Sequence, residues 1–263
     1  MYAHANGIHM RYQFSGPEDA PLVTLSHSLA ATHRMWDWQM DELTQRYRVL
    51  RYDTRGHGES DAPAGPYSLE LLADDLFALL DTLEIETTHY VGLSMGGMIG
   101  QLAALQDQSR FKSLSLCDTS SQIPQALNTV WESRIRLAQT EGMKSLVQQT
   151  IERWFSREFE KKARKDIHKI RNMIRDTPVD GFIGCCHAIM NLDVTDQLDQ
   201  IRLPTLLIVG EDDPGTPVEA HEVIRDRIAG SELIVIPKAL HFSNVEQQGQ
   251  FNESLLGFLD RQS

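Results

Sequence analysis

The chain has 263 residues, enough to bury one large core with room for an inserted subdomain. Its 37 acidic and 25 basic residues give a net charge of -12, which argues against nucleic acid and anionic membrane as partners. An anionic ligand would therefore need a local positive site, because the overall field repels it.

The first residues, MYAHANGIHMRYQ, lack the basic-then-apolar pattern of a signal peptide, and no apolar run approaches a bilayer span. A cytoplasmic protein is expected. Residues 1–16 predict a hairpin turned at Asn6-Gly7. Strands are expected at Leu22–Ser26 and Arg48–Tyr52. Ser68 is placed to cap a helix whose Leu69, Leu72, Leu76, Leu79, Leu80 and Leu83 recur at three- and four-residue steps. A strand over His89–Leu93, a helix from Gly97 to about Gln106 and a strand over Lys112–Cys117 follow. From about 120 to 195 the strands stop, and helical patterns carry Trp131, Trp154, Phe155 and Phe182. The Lys/Arg-rich stretch 157–176 reads as a solvated helix face. The alternation then resumes with Pro204–Val209, a helix after Pro217, a strand over Glu232–Ile236 and a helix from about Gln248.

This β/α rhythm, interrupted once, predicts an α/β fold with a mostly parallel sheet and helices on both faces. Residues 1–119 and 196–263 would form the core domain, and 120–195 a helical cap. Cys117, Cys185 and Cys186 match neither a disulfide framework nor a zinc site and read as reduced packing residues.

The chemistry-bearing feature is Gly92-Leu93-Ser94-Met95-Gly96, between a predicted strand and a predicted helix. A G-x-S-x-G run there is a nucleophile elbow: the glycines make room for a sharp turn that exposes the serine hydroxyl. The Met95 N–H would face a developing oxyanion. Serine needs a base and an orienter for that base, and in this arrangement they follow in the order acid, then histidine. Asp213, just past the strand LLIVG, is the preferred acid, with Asp212 and Asp118 as alternatives. His241 lies in the loop after the last strand and is the expected base. The second oxyanion amide is expected in His27-Ser28-Leu29, at Leu29 in preference to Ser28, with His27 holding the loop in shape. Asp53-Thr54-Arg55-Gly56-His57-Gly58 reads as a glycine turn stabilised by its Asp and Arg; it lacks the spacing of a phosphate-binding loop.

These residues resemble the α/β-hydrolase superfamily. The longer strings GLSMGGMIGQ, ERWFS and HFSNVEQ, with the stretch from Thr177-Pro178 to Cys185-Cys186, resemble the 3-oxoadipate enol-lactonases. One position departs from that pattern: His27 stands where those enzymes tend to carry Asn. The resemblance implies an α/β-hydrolase fold and a catalytic set of Ser94, Asp213 and His241. The implied substrate is a small enol-lactone with a carboxylate arm, cleaved without metal or organic cofactor. Arg134, one helical turn from Trp131, is the candidate partner for that carboxylate, with Trp131 as an apolar wall; the alternative is that Arg134 faces solvent and Trp131 is cap core. A broad small-ester carboxylesterase or a perhydrolase would use the same residues. Haloalkane dehalogenation is disfavoured, since its elbow nucleophile would be Asp. A ligand receptor of this fold with little turnover is disfavoured by the complete catalytic set.

Overall fold

The computed structural model describes residues 1–262. Asn6 and Gly7 both have positive φ, 46° and 76°, as a two-residue hairpin turn requires, and β1 (Tyr2–Ala5) pairs antiparallel with β2 (Ile8–Ser15). The remaining strands are β3 (Leu22–Ser26), β4 (Arg48–Tyr52), β5 (Thr88–Leu93), β6 (Phe111–Cys117), β7 (Thr205–Gly210) and β8 (Glu232–Ile236). They form one eight-stranded sheet in the order β1-β2-β4-β3-β5-β6-β7-β8. The pairing of β2 with β4 is antiparallel and every later neighbour is parallel. β5 and β7 are buried along their whole length, which is why THYVGL and TLLIVG show no polar alternation.

Helices α1 (Asp37–Leu43), α2 (Leu69–Thr82) and α3 (Met95–Asp107) lie between strands of the first half. Ser68 caps α2 as expected, its Oγ accepting the Leu71 N–H at 3.2 Å. Leu69, Leu72, Leu76, Leu79 and Leu80 are buried along one face of α2, and Leu83 is half-buried. α3 starts two residues earlier than the glycine pair suggests, because the elbow leaves no loop between Ser94 and the first helical turn.

Between β6 and β7 come α4 (Asn128–Glu141), α5 (Val147–Trp154), α6 (Arg157–Lys162), α7 (Arg164–Asp176) and α8 (Val179–Met190). The basic stretch behaves as expected of a solvated face: α7 buries Ile167, Ile170 and Ile174 and exposes Lys165 and Lys169. α9 (Val218–Arg227), α10 (Ser243–Glu246) and α11 (Gln248–Leu259) complete the chain. α2 packs on α3, and α1 packs on α11. The crossover from β3 to β4 runs along the sheet in the opposite direction to that from β4 to β5. With right-handed crossovers this puts α1 and α2 on opposite faces. Among the described residues no helix is long and apolar enough to cross a membrane.

Candidate active site

Ser94 sits at φ 57° and ψ -114°, a conformation L-residues avoid at a cost of about 1–3 kcal/mol. The surrounding backbone imposes it. The Ser94 N–H donates to Cys117 O at 2.8 Å, and its carbonyl accepts the Met98 N–H at 3.0 Å and the Thr119 hydroxyl at 2.8 Å. A Cβ at Gly92 would overlap the Gly96 carbonyl, and one at Gly96 would overlap the Ser26 carbonyl. The strand–turn–helix joint therefore closes only with glycine at both positions.

The hydroxyl meets the histidine expected of it, and that histidine meets the preferred acid. Ser94 Oγ lies 2.9 Å from His241 Nε2, and His241 Nδ1 lies 2.8 Å from Asp213 Oδ2. Ser94, Asp213 and His241 are all buried. Burial alone would raise the Asp213 carboxyl; the His241 charge and hydrogen bond, with donors from Thr216 and Gly215, hold it well below the ordinary carboxylate range. Oδ1 accepts the Gly215 and Thr216 amides at 2.7 and 3.2 Å, and Oδ2 accepts the Thr216 hydroxyl at 2.6 Å. An ionised Asp213 fixes the imidazole proton on Nδ1 and leaves Nε2 free to accept from the serine.

The alternative acids are placed elsewhere. Asp212 is exposed. Asp118 is buried, but its Oδ1 accepts the Gly210 N–H at 2.8 Å and its Oδ2 the Ser243 hydroxyl at 2.6 Å, tying the ends of β6 and β7 to α10. The loops bearing Asp213 and His241 run side by side: Asp212 N–H donates to Ala239 O at 3.0 Å, and a side chain at Gly210 would strike the Ala239 and Leu240 carbonyls.

In the loop after β3, two of three successive amides are occupied. The Ser28 N–H points at Met35 Sδ, 3.2 Å away, and the Ala30 N–H donates to His57 Nε2 at 3.0 Å. Leu29, between them, lines the same cavity as Ser94 and His241, and no partner for its amide occurs among the described residues. The Met95 amide, first in α3, is likewise left over by helix geometry. His27 holds this loop: its Nδ1–H donates to Ser28 O at 2.8 Å and its Nε2 accepts the Thr54 N–H at 2.9 Å.

The cavity above Ser94 is walled by Met98, Ile123, Trp131, Trp154 and Ile189, with two guanidinium groups, Arg134 and Arg153. Arg134 lies over the Trp131 ring at 4.8 Å and the Phe182 ring at 5.6 Å. Trp131 and Arg134, both half-buried, thus line the same cavity as Ser94. Burial lowers the Arg134 guanidinium to about 10, and the charge of Arg153 acts in the same direction. Neither arginine has a carboxylate within ion-pair distance among the described residues. The two cations share one cavity, with no counter-ion among the described residues, in a chain of net charge -12. Sequence reasoning missed Arg153 and Thr216. The only cues to them were their positions, next to Trp154 and three residues after Asp213.

The family model for the alpha/beta hydrolase fold matches residues 21–248. The chain is 35% identical to 3-oxoadipate enol-lactonase 1 of Acinetobacter baylyi, covering 98% of this chain and 96% of that protein. It is 32% identical to a proposed carbamate hydrolase, RutD, of Stutzerimonas stutzeri, covering 96% and 97%. The crystal structure of the enol-lactonase from Burkholderia xenovorans superposes with a TM-score of 0.96 at 35% identity, covering 99% of this chain and 100% of that one. The chain belongs to the α/β-hydrolase fold family and is a carboxylic ester hydrolase within it.

Proposed function

We propose that this protein opens a small anionic enol-lactone, of the 3-oxoadipate enol-lactone type, through an acyl-enzyme on Ser94. The observation that carries this reading is the hydrogen-bonded series Asp213–His241–Ser94, opening into a cavity with two guanidinium groups that have no carboxylate partner among the described residues. Similarity to the Acinetobacter and Burkholderia enol-lactonases supports the substrate class.

His241 Nε2 takes the Ser94 proton as Oγ attacks the lactone carbonyl. The Met95 and Leu29 amides receive the oxyanion, each contributing about 3–4 kcal/mol where such donors have been removed. The ring oxygen leaves as an enol, taking a proton from His241, and tautomerises to the ketone. Both product halves stay on one acyl chain until water, deprotonated by His241, attacks the ester carbonyl and frees Ser94. Arg134 and Arg153 hold the carboxylate arm, and Trp131 packs against the ring. Residues 120–195 act as a cap over the core formed by 1–119 and 196–263, and no step requires a metal or organic cofactor.

A second reading, a small-ester carboxylesterase or perhydrolase with the same residues, is favoured by the apolar walls at Met98, Ile123 and Ile189, which suit a short neutral acyl chain. Comparing kcat/KM on 3-oxoadipate enol-lactone and on p-nitrophenyl acetate separates the two. A lactone preference of roughly 100-fold or more is expected, since a charged hydrogen-bonded contact is worth about 1.5–3 kcal/mol and two guanidinium groups are available. Equal values would favour the carboxylesterase.

A further inference from the structure

The cap segment 153–156 and the loop 240–242 are joined at several points. The Phe242 N–H donates to Trp154 O at 3.2 Å, the Trp154 and Phe242 rings stack at 4.0 Å, and Phe155 meets the Phe242 ring edge-on at 5.7 Å. Glu246, the buried last residue of α10, links the two segments through one carboxylate. Its Oε1 accepts the Ser156 N–H at 2.9 Å, at the start of α6. Its Oε2 accepts the Leu240 N–H at 2.9 Å, one residue before His241. No Lys, Arg or His pairs with it within ion-pair distance among the described residues, so these two amides are its specific partners.

We propose that Glu246 is a positioning residue that makes the placement of His241 depend on the cap being seated. A carboxylate suits this role because both oxygens accept; glutamine would turn an N–H toward one of the two amides. A cap lifted at Ser156 leaves one oxygen unpaired and loosens the Leu240–His241 peptide, so the base is aligned when Trp154 and Arg153 close over the ligand. The proposal rests on His241 being the base, and one of its tests does not depend on activity.

Ser156 offers a way to break the link from the cap side. Its φ of -66° already matches proline, and Phe155, at φ -138° and ψ 146°, has the extended backbone tolerated before proline. Ser156→Pro removes the amide donor, whereas Ser156→Ala keeps it and loses only the hydroxyl cap on Phe159 N. Glu246→Gln and Ser156→Pro are each expected to lower kcat by roughly 10- to 100-fold. The loss should be equal on the anionic lactone and a neutral ester, with little change in KM, and the double variant should be no worse than Glu246→Gln alone. Ser156→Ala should stay within about twofold of the parent. Amide hydrogen exchange in Glu246→Gln should show Ser156 and Leu240 losing protection together. Ser156→Pro behaving like Ser156→Ala would overturn the proposal, as would protection lost at Leu240 alone. If Ser156→Pro does not fold, the Gln variant decides through its kcat and the paired exchange. Paired loss of protection in a chain where His241→Ala leaves kcat unchanged would mean that the link exists and the assignment of the base is wrong.

Discussion

His27 and His57 each hold the other's loop. His27, after β3, accepts the Thr54 N–H from the loop after β4; His57, in that second loop, accepts the Ala30 N–H from the first. The rings lie 5.2 Å apart, and Leu29 is held between residues fixed by the pair. Both bonds are accepted at Nε2, so both imidazoles work only when neutral.

That requirement has a pH signature. Burial lowers both histidines, His57 to about 3, whereas an unfolded histidine titrates near 6.5. Between these values the unfolded chain binds protons that the native state refuses. The stability held by a neutral His57 is therefore fully present above pH 6.5 and is lost as pH falls toward 3, at about 1.4 kcal/mol per pH unit, and His27 acts in the same direction. Urea midpoints at pH 7 and pH 5 should show this fall, and His57→Gln should reduce its slope. An unchanged slope in that variant would mean His57 is not held neutral.

Ser94, the proposed nucleophile, also carries a strained backbone. Ser94→Ala should abolish ester hydrolysis with the fold intact. Ser94→Gly should be equally inactive but more stable than the alanine variant by about 1 kcal/mol, because glycine tolerates positive φ. Thermal melts of the two variants make the comparison; equal melting would argue against strain at the elbow.

Asp213 and Asp118 differ in what they touch. Asp213→Asn should cost about 10⁴ in kcat, the size seen when a triad aspartate is neutralised and the histidine tautomer is lost. Asp118→Asn should leave kcat within a few-fold, because Asp118 bonds to Gly210 and Ser243 and not to His241. Burial and the nearby Asp213 charge push the Asp118 carboxyl well up. The reverse pattern in steady-state kinetics would exchange the two roles.

In the proposed function the guanidinium pair binds the substrate and takes no part in the chemistry. Arg134→Ala and Arg153→Ala should each raise KM for the anionic lactone by roughly tenfold or more, and change that for a neutral ester by less than about threefold. Arg134→Lys should recover only part of the loss, since a compact ammonium cannot stack between Trp131 and Phe182 as a planar guanidinium does. Equal losses on both substrates would remove the pair from carboxylate recognition.

Ser94, Asp213 and His241 were legible because each follows a strand, and strand ends can be read from apolar runs and glycines. The same reasoning preferred Leu29 to Ser28 in the loop after β3 and located the hairpin at Asn6-Gly7. It placed α3 two residues late, because the elbow turns directly into helix at Met95. Arg153, Trp154 and Glu246 were not legible as a group. The segments that carry them meet across some 90 residues of sequence, through Ser156 with Glu246 and Trp154 with Phe242. Helix phase likewise left Arg134 open, since half a turn of rotation would have put it in solvent.

The central claim, that His241 activates Ser94 as a nucleophile, is tested most directly by labelling with a serine-directed alkyl phosphonate, followed by peptide mass mapping. One adduct per chain is expected, on Ser94, absent in Ser94→Ala and slowed at least 100-fold or so in His241→Ala. An adduct on another residue, or a labelling rate at Ser94 that His241→Ala leaves unchanged, would contradict the account.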